Sequence, residues 1–323
     1  MISKDAIIVG GGPCGLAAAI SLQEKGLNPV VIEKGNIVNS LYNYPTHQTF
    51  FSSSENLEIG DVAFITENRK PVRNQALAYY REVVLRKKIN VRAFERVEKV
   101  EKNEKGLFIV KTTKEVYSTP FVVIATGYYD QPNYMKVPGE NLPHVFHYFK
   151  EAHPYFDCDV TVIGGKNSSV DAALELVKAG ARVTVLYRGQ NYSSSVKPWI
   201  LPEFDALVRK GIIRMEFNAE IQSITEYCVE YIVDGSAEKS VKADFVFAMT
   251  GYHPDHTFLQ KMGVDIDEQT GCPSYNPETM ETNVDGLFIA GVIAAGNNAN
   301  EIFIENGRYH GALIADCVEA KSK

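Results

Sequence analysis

The chain has few cysteines, and no two of them lie close together in the sequence. Five cysteines are spread over 323 residues without a C-x-x-C spacing, which excludes a zinc knuckle and a paired redox motif. There is no long basic run and the formal net charge is −7, so nucleic acid is not expected as a partner. No apolar run reaches the roughly 18 residues of a membrane span, and no signal-peptide pattern is visible. We therefore expect a cytoplasmic protein that has no membrane segment and mostly free thiols.

Length and composition predict two well-packed domains. A chain of 323 residues is about twice the usual domain length, and a hydrophobic content of 45% supports ample cores. No clustered metal ligands are apparent, so we expect no metal.

The opening segment, residues 5–34, has the pattern of a dinucleotide-binding unit. An apolar strand, three glycines in G-x-G-x-x-G spacing, a helix and a second apolar strand follow one another. Gly10 allows a tight turn, Gly12 lets a pyrophosphate approach, and Gly15 lets the helix pack closely. Glu33 lies 23 residues after Gly10, where a carboxylate accepts hydrogen bonds from a ribose. This arrangement places the helix N-terminus at the phosphates.

Residues 159–188 repeat this layout with changes at the ligand positions. The turn reads Gly164-Gly165-Lys166-Asn167-Ser168, so Lys166 replaces the second glycine of the pattern, and Ser169 replaces the third. Arg188 stands where the first unit has an acid. An acid suits a free ribose hydroxyl and an arginine suits a 2′-phosphate, so the second unit favours NADP. The alternative is that Arg188 is an ordinary surface charge.

The stretch of residues 35–72 is long, irregular and rich in asparagine, serine and aromatic residues. Connections of this length are uncommon and usually functional. Residues 39–46, which include Tyr42 and Thr46, either wrap a bound cofactor or form part of a packed surface loop.

Two further patterns concern the strand ends and the end of the chain. Apolar strands end in Ala125-Thr126-Gly127 and again in Thr250-Gly251, and a third segment reads GLFIAG up to Gly291. Residues 128–157 carry several prolines and are predicted to be a linker. A closing helix is predicted over residues 300–318. The two nucleotide units suggest that the second domain interrupts the first, which the C-terminus completes.

Together these motifs resemble the thioredoxin-reductase-like flavoproteins over nearly the whole chain. The resemblance implies an α/β fold with two Rossmann-like dinucleotide-binding domains, each of the three-layer ββα type. It also implies that an FAD domain (residues 1–127 and 268–323) contains an inserted NADPH domain (residues 128–267). The cofactors implied are FAD and NADPH. The implied FAD contacts are Gly10, Gly12, Pro13, Gly15, Glu33, Lys34, Tyr42, Thr46, Val97, Ala125, Thr126, Gly127, Gly291 and Ile302. The implied NADPH contacts are Gly164, Gly165, Lys166, Asn167, Ser168 and Arg188.

Three departures from that family narrow the expected activity. The redox C-x-x-C should fall near residues 147–154, where both cysteines are absent, so the chain is not a thioredoxin reductase. Val292 replaces the usual aspartate after GLFIAG, and the paired arginines of the NADPH site are reduced to Arg188 and Gly189. In lacking C-x-x-C, in its turn Gly164-Gly165-Lys166-Asn167-Ser168 and above all in having Cys14, the chain resembles the bacillithiol disulfide reductase branch. That resemblance implies a small-molecule disulfide as substrate and Cys14 as the redox-active residue.

Physical chemistry leaves two interpretations of Cys14 open. The helix N-terminus favours a thiolate, whereas a nearby pyrophosphate disfavours it. The cysteine could equally be a small residue that fills a phosphate loop. The alternative activities are a ferredoxin- or flavodoxin-NADP reductase and a non-catalytic FAD/NADPH redox sensor. A flavin monooxygenase is disfavoured because no F-x-G-x-x-x-H fingerprint is present. A homo-oligomer is compatible with the resemblance.

Overall fold

The computed structural model describes residues 1–298 and 300–323, which form two compact units. The first consists of Met1–Gln131 with Tyr252–Lys323, and the second of Pro132–Gly251. Residues 252–267, which the predicted boundaries place in the second domain, belong to the first unit because Leu259 and Val264 are buried in its core. Which domain binds which cofactor remains a prediction.

The strands and helices of the described residues are named in chain order. The strands are β1 (Ile2–Ser3), β2 (Ala6–Val9), β3 (Val30–Ile32), β4 (Val91–Arg92), β5 (Val97–Lys102), β6 (Phe108–Thr112), β7 (Val116–Thr119), β8 (Phe121–Ile124), β9 (Val145–Phe146), β10 (Asp159–Ile163), β11 (Arg182–Leu186), β12 (Ile213–Glu216), β13 (Ala219–Ile224), β14 (Cys228–Val233), β15 (Ala237–Lys242), β16 (Phe245–Ala248) and β17 (Leu287–Ile289). The helices are α1 (Pro13–Glu24), α2 (Asn39–Asn43), α3 (Arg73–Arg86), α4 (Asn167–Lys178), α5 (Leu201–Arg209), α6 (His256–Lys261), α7 (Ile304–Gly307) and α8 (His310–Ser322).

The first unit is built on a parallel sheet in the order β17-β8-β2-β3-β4. Its central strands are continuous apolar runs because both faces of a parallel sheet are covered, and Ile7 and Val123 are fully buried. A second sheet, β1-β7-β6-β5, is antiparallel except for the β1–β7 pair. Strand β17 comes from the last 40 residues of the chain, so both chain ends contribute to this unit.

The second unit repeats this plan on a smaller scale. A parallel sheet runs in the order β12-β11-β10-β16-β9, and an antiparallel sheet contains β13-β14-β15. The thioredoxin-reductase-like α/β fold with two Rossmann-like sheets is therefore confirmed. In both units the glycine-rich loop connects a central strand to its helix, which is the usual ligand-binding end of a parallel sheet.

Two local predictions are wrong. The closing helix over residues 300–318 is instead split into α7 and α8 by a turn at residues 308–309. The guanidinium of Arg308 donates hydrogen bonds there to the carbonyls of Glu55 and Glu58. The predicted linker, residues 128–157, contains β9, which adds to the sheet beside β16. No helix among the described residues is long and apolar enough to span a membrane.

Candidate functional site

The first glycine loop is shaped by close backbone contacts. Gly10 has φ +111°, and a methyl group built on it would lie 2.4 Å from the carbonyl oxygen of Ala125. A methyl group on Gly15 would lie 2.1 Å from the oxygen of Gly10. Both positions therefore require glycine. A methyl group on Gly12 would have no neighbour within 4 Å, so this glycine borders open space and leaves room for a ligand.

The polar groups around that open space fit a phosphate-bearing cofactor. Helix α1 begins at Pro13, which has no N–H to satisfy, and no side chain caps the helix N-terminus. The hydroxyl oxygen of Thr126 is buried, and within residues 1–298 and 300–323 it has no hydrogen-bond partner. Next to it, Gly127 has φ +69° and open space at its Cα. An uncapped helix end and a buried hydroxyl without a partner are what a bound dinucleotide would satisfy.

Glu33 is held in place by backbone donors. Its Oε2 accepts a 2.7 Å hydrogen bond from the N–H of Gly11, and its Oε1 accepts one of 2.7 Å from Gly35. Burial raises the pKa of the Glu33 carboxyl, and the two N–H donors oppose that rise. The adjacent Lys34 forms an ion pair with Asp130 at 2.9 Å.

The predicted cofactor-wrapping segment, residues 39–46, contains a short helix. Tyr42 lies in α2 and is 43% exposed. The guanidinium of Arg73 lies 5.3 Å from the centre of its ring and donates to its carbonyl oxygen. Thr46 follows in an exposed turn. Whether this segment contacts a cofactor remains a prediction.

Two further predicted FAD contacts lie in different settings. Val97 is the first residue of β5 and is half-buried. Ile302 is 8% exposed and precedes α7 instead of starting the last helix.

Cys14 lies in α1, but its sulfur points into packed backbone. A methyl group built on Gly291 would lie 3.0 Å from Sγ, and so would one built on Gly307. Cys14 as a whole is half-buried, and burial raises the pKa of its thiol to about 12. The thiolate that a helix N-terminus would favour is therefore not the form present at neutral pH.

Gly291 is positioned by a residue that the sequence patterns did not single out. Its φ is +81°, and its backbone N–H donates a 3.1 Å hydrogen bond to Nδ1 of His310. The contact of Gly291 with the FAD pyrophosphate remains a prediction. The only sequence signal for His310 is a histidine at the start of a helix, which belongs to no motif.

The second glycine loop reproduces the first at its opening turn. Gly164 has φ +139°, and a methyl group on it would lie 2.5 Å from the oxygen of Met249. Gly165 lies against the ring of Tyr187, whose atoms would be 2.4–2.5 Å from an added methyl group. Lys166 is exposed at the N-cap position of α4, which no side chain caps.

Asn167 and Ser169 have structural partners in this loop. Asn167 Nδ2 donates to the carbonyl of Ser195, and its Oδ1 accepts from the N–H of Lys197, both at 2.9 Å. The hydroxyl of Ser169 donates to the carbonyl of Lys166 at 2.8 Å, which lets serine replace the third glycine.

The remaining two NADPH candidates, Ser168 and Arg188, are both exposed, as phosphate-binding groups would be before a ligand arrives.

In the part of the chain that the structure describes, no cluster of three or more histidine, cysteine or carboxylate side chains could hold a metal ion.

Comparisons with known proteins find high similarity over the whole chain to proteins named as reductases. A curated relative from Bacillus subtilis (strain 168), named bacilliredoxin reductase Bdr, is 72% identical over 318 residues, or 98% of this chain and 97% of that protein. The solved structure of bacillithiol disulfide reductase Bdr (YpdA) from Bacillus cereus is 70% identical, covers 99% of both chains and has a TM-score of 0.97. Its counterpart from Staphylococcus aureus is 59% identical, covers 100% of both chains and has a TM-score of 0.96.

A family model adds the class of chemistry. The model described as pyridine nucleotide-disulphide oxidoreductase matches residues 7–291, which include both glycine loops and Gly291. The chain therefore belongs to the pyridine nucleotide-disulphide oxidoreductase family, whose enzymes use FAD and NAD(P)H.

Proposed function

We propose that the protein uses NADPH and FAD to reduce a low-molecular-weight disulfide, bacillithiol disulfide, and so maintains thiol redox balance in the cytoplasm. The observation that carries this proposal is the 70% identity over 99% of both chains to bacillithiol disulfide reductase Bdr (YpdA) from Bacillus cereus. In the overall reaction, NADPH and one proton reduce one disulfide to two thiols. The homo-oligomer stays a prediction.

The two glycine loops supply the cofactor positions in this proposal. Gly12 and Gly127 leave open space for the FAD pyrophosphate, and the Glu33 carboxylate accepts hydrogen bonds from the ribose. The hydroxyl of Thr126 gains a partner when FAD binds. The chemistry that FAD would supply when bound here is the transfer of two electrons from NADPH to the disulfide.

In the second unit, the loop at residues 164–168 receives the NADPH pyrophosphate. The guanidinium of Arg188 pairs with the 2′-phosphate, which a carboxylate at that position would repel. Preference for NADPH over NADH is therefore part of the proposal.

Cys14 is the proposed redox-active residue. Its thiolate attacks one sulfur of the disulfide, the S–S bond breaks, and one thiolate leaves. Two electrons and a proton then split the mixed disulfide, which restores Cys14 and releases the second thiol. Because Gly291 and Gly307 cover Sγ and the thiol is protonated, this step requires the backbone cover to open and the thiol to lose its proton.

A second candidate substrate is the disulfide of a bacilliredoxin. The relative that is 72% identical carries the name bacilliredoxin reductase. The chemistry at Cys14 is the same for either substrate, but a protein substrate needs access over a wider surface.

The test measures NADPH oxidation by the FAD-loaded protein with bacillithiol disulfide, oxidised bacilliredoxin or ferredoxin as acceptor. Wild type is compared with Cys14→Ser and with a control variant, Cys317→Ser. We expect turnover with bacillithiol disulfide in wild type and in the control, and its loss in Cys14→Ser with FAD still bound.

The other outcomes separate the alternatives. Turnover that survives in Cys14→Ser keeps the substrate and removes the cysteine mechanism. Turnover with bacilliredoxin alone selects the protein substrate. Turnover with ferredoxin alone selects a ferredoxin-NADP reductase, and bound FAD without any turnover selects a redox sensor.

A further inference from the structure

The loop after β17 contains a backbone N–H that a side chain from another element binds. The N–H of Gly291 donates to Nδ1 of His310 over 3.1 Å. Because Nδ1 is the acceptor, the imidazole is neutral and carries its proton on Nε2. Burial lowers the pKa of His310 and so favours the same neutral form.

The same glycine covers the thiol of Cys14. A methyl group built on Gly291 would lie 2.9 Å from Cys14 Cβ and 3.0 Å from its Sγ. No side chain intervenes, so the orientation of the Gly291 peptide determines how closely its backbone covers the sulfur. Its φ of +81° is a conformation that glycine adopts readily and leaves readily.

The second cover over the sulfur, Gly307, is held more firmly. Its neighbour Arg308 donates hydrogen bonds of 3.0 and 2.6 Å to two backbone carbonyls of a distant segment. Asn306, on the other side, donates one side-chain hydrogen bond and accepts another, at 2.9 and 2.7 Å. Among the described residues, the imidazole of His310 is the only side-chain group that hydrogen-bonds to the backbone of Gly291. The oxygen of Gly291 accepts from the N–H of Ala294 at 3.1 Å, so the bond to His310 is what holds the N–H side of this glycine.

His310 itself is firmly anchored. It is the first residue of α8, and a methyl group on the next residue, Gly311, would lie 2.7 Å from the Cα of Ala18 in α1. Ile314, one turn further along α8, is fully buried. The imidazole is thus a fixed acceptor for the N–H of Gly291.

We propose that His310 is a positioning residue that controls access to Cys14. Its Nδ1 holds the Gly291 peptide across Sγ, and release of this hydrogen bond exposes the thiol to a disulfide. The functional meaning of this control rests on the proposed redox role of Cys14.

The test compares the rate at which iodoacetamide alkylates Cys14 in the FAD-loaded wild type and in three variants. Mass spectrometry of the peptide that contains Cys14 measures the rate. His310→Asn keeps an acceptor at the position of Nδ1, His310→Gln moves the amide to the position of Nε2, and His310→Leu removes the acceptor. Because a covered thiol reacts through local opening, losing one hydrogen bond should raise the rate about fivefold. We expect that rise in the Gln and Leu variants, and a rate within about twofold of wild type in His310→Asn.

Cys317, which lies on the same helix as His310, is the internal control. Its alkylation rate should stay constant, because an effect on access to Cys14 leaves α8 folded. Equal Cys14 rates in the Asn and Gln variants would overturn the proposal. So would a rise at Cys317 that parallels the rise at Cys14, because it would mean that α8 frays. The Asn–Gln comparison decides the question even if His310→Leu does not fold.

Failure of the proposed function gives a different result. If Cys14→Ser keeps full disulfide turnover, the redox role of Cys14 is wrong. The alkylation rates of the three His310 variants still decide whether His310 controls access to the thiol.

Discussion

The backbone N–H of Gly11 donates a 2.7 Å hydrogen bond to Oε2 of Glu33, which ties the first glycine loop to the end of β3. The other carboxylate oxygen accepts an equally short bond from Gly35. The residue is only 6% exposed, so the buried carboxylate helps to fix the shape of the loop. Charge-assisted bonds of this kind are stronger than neutral ones.

Glu33→Gln should therefore weaken both the fold and FAD binding. The glutamine side chain can accept from one backbone donor, but its NH2 group then faces the other. Losing one hydrogen bond to a charged group costs about 1.5–3 kcal/mol. We expect a lower melting temperature and a smaller fraction of purified protein with bound flavin, measured by absorbance. The control is Glu98→Gln at an exposed position of β5. Equal flavin content in the two variants would contradict the prediction.

Sequence patterns located both glycine loops because their determinants are local. Strand β2 is apolar and buried along its whole length, as expected for a parallel strand that is covered on both faces. Gly15 is required by its contact with the oxygen of Gly10 inside the same short strand–turn–helix unit, so the local spacing predicts it.

The surroundings of Cys14 could not be predicted in this way. Its sulfur contacts Gly291 and Gly307, which lie nearly the whole chain length away and approach only after the C-terminal segment packs on α1. His310 belongs to no motif, and the carboxamide of Asn167 has loop partners that the glycine pattern does not specify. Packing between distant segments determines each of these features.

Gly307→Ala should be destabilising because of Cys14. The added methyl group would lie 3.0 Å from Sγ, 3.1 Å from the Cα of Gly291 and 3.2 Å from Cγ2 of Ile302. Overpacking of this kind costs about 1–3 kcal/mol, which exceeds the roughly 1 kcal/mol that alanine gains over glycine in a helix. Chemical denaturation measures the loss.

The same substitution should cost less when Cys14 is already alanine. Removing Sγ eliminates the closest contact, so the double variant should show a coupling energy of at least about 0.5 kcal/mol. Cys317→Ala on α8 is the matched cysteine control. Strict additivity of Gly307→Ala and Cys14→Ala would show that Sγ does not lie against Gly307.

Asp171 on α4 should contribute a stability cost at neutral pH that is absent in mild acid. Burial, with the nearby Glu175 carboxylate second, raises the pKa of Asp171 to about 6 from its usual 3.8. Between those values the folded state binds more protons than the unfolded state, so stability falls as the pH rises from about 4 to above 6. Since one pKa unit corresponds to about 1.4 kcal/mol, the cost at pH 7 is at most about 3 kcal/mol.

Asp171→Asn should remove this cost. We expect a higher denaturation midpoint than wild type at pH 7.5, and a difference that shrinks toward pH 4.5. Glu220→Gln, at an exposed position on β13 of the same unit, should match wild type at both pH values. A gain from Asp171→Asn that is the same at both pH values would rule out a titration origin.

Asn167 and Arg188 should affect pyridine nucleotide binding in different ways. The Asn167 carboxamide holds residues 195 and 197 beside the second glycine loop, so Asn167→Ala should raise the KM for NADPH and for NADH equally, by about tenfold.

Arg188→Ala removes the charge proposed for the 2′-phosphate, so it should raise the KM for NADPH by about tenfold or more and leave that for NADH within about twofold. Steady-state assays with a small artificial electron acceptor measure both values without involving Cys14. An equal effect of Arg188→Ala on the two nucleotides would show that Arg188 is an ordinary surface charge and that the second unit selects NADPH by another group.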